Sequence, residues 1–178
     1  MSILFGGIRQ LGMVVHDCED AMKRWGQMGV GPFFTMRFVV DDFVYRGRPS
    51  PAPDVTLCFA HSGPLQVELI QQHNDVPSAW KEFLDSGREG AQHVAAWYAD
   101  HQSFERRKQE LVDAGWVLVQ TGGSRAADAG FAYFESPEPG GMMIELSEAL
   151  IHTGEEHRQA MEDAARTWDG KVLVANRS

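Results

Sequence analysis

Cysteine is scarce in this chain: two in 178 residues, Cys18 and Cys58. They form no close-spaced pair, so neither a disulfide framework nor a cysteine-rich zinc site is available, and a reducing, cytoplasmic setting is expected. Long apolar runs are also missing. Stretches such as Leu11 to Val15 fall far short of the roughly 20 residues that span a bilayer. The N-terminus lacks the basic start and apolar run of a signal peptide, so no membrane partner is expected. Positive charge is in short supply too, with 16 Lys+Arg against 25 Asp+Glu and a formal charge of −9. That balance repels phosphate and argues against a nucleic-acid partner, while leaving room for a local basic patch that holds a small anion. What remains is an ordinary soluble composition, 43% hydrophobic and 23% charged. It has length enough for one domain or two small fused modules.

Within that composition lies an internal repeat. Gln10-Leu-Gly-Met-Val-Val-His-Asp17 aligns with His93-Val-Ala-Ala-Trp-Tyr-Ala-Asp100. Each is an apolar strand that opens on a polar, metal-capable side chain and ends, seven positions on, in an Asp that can cap a helix. Helical spacing follows in both halves, through Ala21, Met22, Trp25 and Met28 and through Phe104, Leu111 and Val112, with stops at Gly29/Gly31 and at Gly115. The halves also end alike, since Gly63-Pro-Leu-Gln-Val-Glu68-Leu matches Gly140-Gly-Met-Met-Ile-Glu145-Leu without a gap. Strand-like runs fall at 33–40, 55–60, 116–120 and 131–135. The predicted organisation is a first βαβββ module over 8–72, a linker with a short helix over 73–90, a second βαβββ module over 91–148, and a C-terminal helical extension over 149–178. The proline-rich stretch 46–54 is predicted as an extended connection. The helix predicted over 155–168 is expected to pack on the domain or on a second subunit, with a short tail after it.

Two such modules side by side would form an α+β fold with a cupped mixed sheet around a cleft. The repeat then sets Gln10 opposite His93 and Glu68 opposite Glu145. Singly, a strand Gln or Glu is usually solvated and a His is usually just hydrogen-bonded. Their coincidence at matched places inside apolar strands points to shared ligation of one divalent metal ion. Imidazole favours Zn, Ni, Co or Fe, and three oxygen donors keep Mn in range. Two carboxylates would neutralise the ion's charge.

These residues resemble the vicinal oxygen chelate superfamily, which includes glyoxalase I, methylmalonyl-CoA epimerase, extradiol dioxygenases and bleomycin-resistance proteins. The likeness covers about residues 8–148. It is strongest at Leu11–Asp17, at the join Phe83–Val94, and at Ser136–Leu146. The join is similar to the epimerase branch, with Gln92 in place of the first of two adjacent histidines. The order Gln10, Glu68, His93, Glu145 is similar to the zinc type of glyoxalase I. Gln10 departs from the histidine of the dioxygenases and epimerases, making Fe the less favoured metal. The chain also has no Glu between Asp20 and Glu68, where epimerases carry one of their two bases.

The resemblance implies a metal-dependent isomerase, epimerase or lyase that removes a proton next to a carbonyl, with Glu145 and Glu68 as ligand and base. The implied partner is a small carbonyl or thioester substrate, and the implied assembly is a homodimer. Alternatives are a small-molecule binding or sequestering protein of the same fold and an iron-dependent ring-cleaving dioxygenase. Arg37, Arg46 and Arg48 could hold an anionic group of the substrate, although solvated surface arginines fit them at least as well. His16 and His61 are expected at the surface or in caps.

Overall fold

The computed structural model describes residues 2, 4–138 and 141–175, apart from the side chains of 152, 153 and 155. Gly140 of the second glycine-led motif lies outside the described residues.

The repeated Asp residues start helices. Strand β1 (Gln10–Val14) leads into α1 (Cys18–Gln27), where the extended Asp17 accepts a hydrogen bond from the Asp20 backbone N–H. Much later, β7 (Gly90–Trp97) leads into α3 (His101–Asp113), where Asp100 does the same for Ser103. Each cap satisfies one of the amides that a helix start leaves without an internal partner. After α1 come β2 (Phe33–Val39), β3 (Asp41–Tyr45), β4 (Arg48–Pro49), β5 (Asp54–Ser62) and β6 (Leu65–Gln72). Helix α2 (Ala79–Asp85), capped by Ser78, precedes β7. After α3 come β8 (Val117–Ser124), β9 (Ala129–Glu135) and β10 (Met143–Ser147), then α4 (Ala149–Thr153), α5 (Glu155–Thr167) and β11 (Val174–Ala175).

The strands form one mixed sheet in the order β11-β2-β5-β6-β1-β7-β10-β9-β8-β3-β4. At its middle β1 and β7 run antiparallel. Outward from that seam both sides read alike: a parallel neighbour (β6 or β10), an antiparallel one (β5 or β9), then another (β2 or β8). This α+β sheet, duplicated about the seam, is the architecture the sequence predicts.

The hairpin β3–β4 departs from prediction. The run at 33–40 does not stop: it turns at Val40 and continues as β3, which pairs with β8 at the other end of the duplicated set. Pro49, expected in an extended connection away from any strand centre, pairs with Val44 in the two-residue edge strand β4. The burial of Val40 and Phe43 beside Trp80 draws the chain across, and β3 covers the β8 edge that would otherwise stand unpaired. One chain therefore spans from one end of the sheet to the other.

Period-two alternation sorts the faces. On β6, Val67 and Leu69 pack under α1 with Cys18, Met22 and Phe33. On β10, Ile144 and Leu146 pack under α3 with Phe104 and Leu111. The residues between them, Glu68 and Glu145, consequently face the concave side. There a third core, of Val14, Ile70, Phe43, Tyr133 and the α2 residues Trp80 and Phe83, fills part of the concavity.

The C-terminal segment crosses the remaining opening. Helix α5 lies on β5, and Met161 is buried there. The tail then pairs with β2 as β11, a strand the sequence pattern does not announce. Trp168 presses on Gly31, where an added Cβ would lie 2.8 Å from the indole.

Candidate metal centre and its cavity

Gly12 is the hinge of the site. In β1 it stands opposite His93 on one side and Glu68 on the other. By the same two-fold relation Ala95 stands opposite Gln10 and Glu145. Small residues at both places leave room above the sheet for the longer side chains beside them. At Gly12 the approach is so close that an added Cβ would lie 1.8 Å from His93 Cε1.

His93 is fully buried, and Glu68 and Glu145 are each 6% exposed. One ligating atom from each of the three lies within 4.8 Å of the others. His93 Nε2 is 3.0 Å from Glu145 Oε2 and 3.5 Å from Glu68 Oε2. Among the described residues neither of these carboxylate oxygens makes a well-formed hydrogen bond, and both share the one ring nitrogen between them. Two buried carboxylate oxygens that compete for one imidazole nitrogen make a costly arrangement for a protein alone. The donor set fits a divalent cation, which would satisfy all three groups.

The electrostatics agree. Burial pushes the Glu68 carboxyl upward, and the charge of Glu145 adds to this. For His93 burial alone would lower the pKa, but the flanking Glu145 and Glu68 outweigh it and raise the imidazole to about 9. The two carboxylates thus favour a positive charge at the ring nitrogen between them.

Gln10, 4% exposed, lines the same cavity. Its amide nitrogen donates to Gln66 Oε1 at 2.7 Å, and Gln66 in turn contacts His61 Nε2 at 3.2 Å. His61 is therefore not a surface residue: it is buried, and burial lowers its pKa. His16, by contrast, is exposed. On the opposite side of His93, Nδ1 lies 3.2 Å from Gln92 Oε1, whose amide nitrogen donates to the Ala79 carbonyl on α2. These contacts fix the ring, as the outer partners of metal-bound histidines do.

Tyr133 also belongs here, its hydroxyl 3.3 Å from His93 Nε2 and from the Trp80 indole nitrogen. Burial, then the charges of Glu145 and Glu68, hold its phenol well above the ordinary value. Sequence reasoning missed Tyr133 and Gln66. Period two offered a signal for Gln66, two positions before Glu68 on the same strand face. Tyr133 could be found only through its pairing opposite Glu145.

The arginines lie elsewhere. Phe34, Met36 and Phe38 of β2 line the cavity, and Arg37, between them in sequence, binds Asp54 at 2.6 and 2.8 Å. Arg46 pairs with Glu82 and Glu135, tying the hairpin to α2 and β9. Arg48 is exposed on β4, and none of the three is among the lining residues.

The cavity measures about 140 Å³ and runs from Gln10, Glu68 and Glu145 to α4 and α5. Its walls are mainly apolar, with Phe34, Leu57, Phe59, Trp97, Phe131 and Met161 prominent. Among the described residues, no helix is long and apolar enough to cross a membrane.

Comparison with solved structures returns the same fold. A hypothetical protein from Bacillus halodurans C-125 is 19% identical over 79% of this chain and 92% of its own, with a TM-score of 0.52. Methylmalonyl-CoA epimerase from Mycobacterium tuberculosis is 18% identical over 83% and 91%, with a TM-score of 0.51. A Streptomyces coelicolor methylmalonyl-CoA epimerase in complex with 2-nitronate-propionyl-CoA is 16% identical over 80% and 94%, with a TM-score of 0.55. At these identities the likeness concerns the fold alone. No curated protein matches the sequence. Residues 9–134 match the Glyoxalase/Bleomycin resistance protein/Dioxygenase superfamily, and the chain belongs to it.

Proposed function

We propose that this protein is a metal-dependent isomerase, epimerase or lyase that removes a proton from the carbon next to a carbonyl. Gln10, Glu68, His93 and Glu145 are the proposed ligands of one divalent ion, with Zn, Ni, Co or Mn favoured over Fe. The observation that carries the reading is the pair of buried carboxylate oxygens on Glu68 and Glu145 that share His93 Nε2 and, among the described residues, make no well-formed hydrogen bond, at the end of an apolar cavity. The ion would supply a positive charge that polarises the substrate carbonyl and makes its neighbouring C–H more acidic.

The chain's own groups do the rest. Glu145 and Glu68 accept the proton and return it. Tyr133, kept neutral by burial, holds a hydroxyl donor beside Glu145. The Trp97 indole N–H has no hydrogen-bond partner among the described residues and borders the cavity, so it can donate to a second oxygen of the substrate. Apolar walls exclude water, which strengthens each of these interactions.

The test combines metal content with hydrogen exchange. Elemental mass spectrometry of the purified protein should find about one Zn, Ni, Co or Mn per chain. In D2O, the loaded enzyme should wash out the α-proton signal of a bound carbonyl compound, with acetophenone as the first probe. Glu145→Gln should abolish the exchange while near-UV circular dichroism stays native. Metal-free protein without exchange would make this a binding protein of the same fold. Iron with oxygen consumption would make it a dioxygenase.

A further inference from the structure

We infer that the C-terminal segment, residues 149–175, is a fixed roof that restricts the site to a compact, largely apolar ligand about the size of one substituted six-membered ring. A long polyanionic carrier thioester would have to leave its phosphates outside this space, against an acidic lining, and is disfavoured. The inference rests on the site reading above for where the ligand's carbonyl goes, but not for the ligand's size.

Three observations carry it. First, α4 and α5 contribute Leu150, His157 and Met161 to the lining of the same cavity that Gln10, Glu68 and Glu145 border. Met161 is 3% exposed, and the His157 ring meets Phe34 edge-on at 6.4 Å. Second, the roof is fastened at its far end. The Phe33 amide donates to the Leu173 carbonyl at 2.7 Å, β11 pairs with β2, Leu173 joins the core beneath α1, and Trp168 covers Gly31. Third, the space beneath the roof, partly open to solvent, is about 140 Å³. An apolar protein cavity of about 150 Å³ accommodates benzene, whereas sites for drug-sized ligands run to roughly 300–1,000 Å³.

Charge points the same way. Glu68, Glu145 and Glu148 line the cavity, while the lining Arg158 is ion-paired with Glu162. A divalent ion would neutralise about two of those carboxylates, leaving no surplus of positive charge for the phosphates of a carrier.

Calorimetric titration of the full-length protein, metal-free and zinc-loaded, with acetophenone and with propionyl-CoA tests this. Acetophenone should bind saturably, and propionyl-CoA should bind at least tenfold more weakly or not at all. Met161→Trp, which fills the space under the roof, should weaken acetophenone tenfold or more. Met161→Ala should let in the larger 2-acetonaphthone, which the parent rejects. Thermal melts check that both variants fold. If Met161→Trp does not fold, the Met161→Ala titration decides. Propionyl-CoA binding as tightly as acetophenone, or a size preference untouched by a folded Met161 variant, overturns the inference. Hydrogen exchange is read separately. Size-selective binding without exchange leaves the roof standing and removes the catalytic proposal, whereas exchange on propionyl-CoA does the opposite.

Discussion

The imidazole of His93 lies directly over Gly12, on the neighbouring strand of the central seam, in space that a single added methyl group would occupy. The glycine is thus part of the site although it has no side chain to offer. Its carbon-free face lets the histidine settle between Glu68 and Glu145.

Gly12→Ala should accordingly displace the ring. Overpacking of this kind costs about 1–3 kcal/mol, so the melting temperature should fall by several degrees. The sharper consequence is a loss of zinc affinity of 100-fold or more in a competitive chelator titration. Unchanged affinity would mean that His93 does not bind the ion.

Glu68→Gln should move stability and binding in opposite directions. Without metal, the change removes a buried charge whose carboxyl is pushed upward by burial and by Glu145. The metal-free protein should gain about 1 kcal/mol, as relief of a strained functional site commonly gives. The thermal upshift on adding zinc should shrink or vanish. Denaturant melts with and without zinc read both effects in one experiment.

The pH dependence of the metal-free protein follows from His93. Its folded-state pKa, about 9, lies above the ordinary 6.5. Stabilisation from this group is therefore complete below about pH 6.5 and is lost as the pH rises through 9. Chelator-treated protein should lose melting temperature across that window. Zinc-loaded protein should not, because the ion replaces the proton. A flat apo profile, or parallel profiles, would contradict the linkage.

Gln66→Leu tests the support behind Gln10. The Gln10 amide nitrogen would lose its buried acceptor, at a cost of about 1–3 kcal/mol. Zinc affinity should drop about 10–100-fold, the usual consequence of removing an outer partner, while the metal still binds through Glu68, His93 and Glu145. An affinity equal to the parent's would detach Gln10 from the metal.

Much of this fold is legible in the linear chain because its rules are local. Asp17 and Asp100 announce helix starts through a contact three residues away. Glu68 and Glu145 face the cleft because Val67, Leu69, Ile144 and Leu146 must face the helices. The Gln10–His93 correspondence is visible because duplication copied a whole strand. The arginines show the limit: Arg37 and Arg46 have the right charge for an anion, yet nearby carboxylates, set by strand pairing, hold them.

What the sequence determined by itself is periodicity, capping and the repeated polar positions, each fixed by neighbours within about one turn of helix or two residues of strand. The tertiary structure alone decided that His61 is buried behind Gln66, that Tyr133 joins Glu145, that β3 crosses to β8, and that the C-terminal segment roofs the cavity. Those outcomes depend on register between strands dozens of residues apart, and on apolar side chains such as Val40, Met161 and Trp168 finding surfaces to cover. No local pattern in the chain encodes which surface that will be.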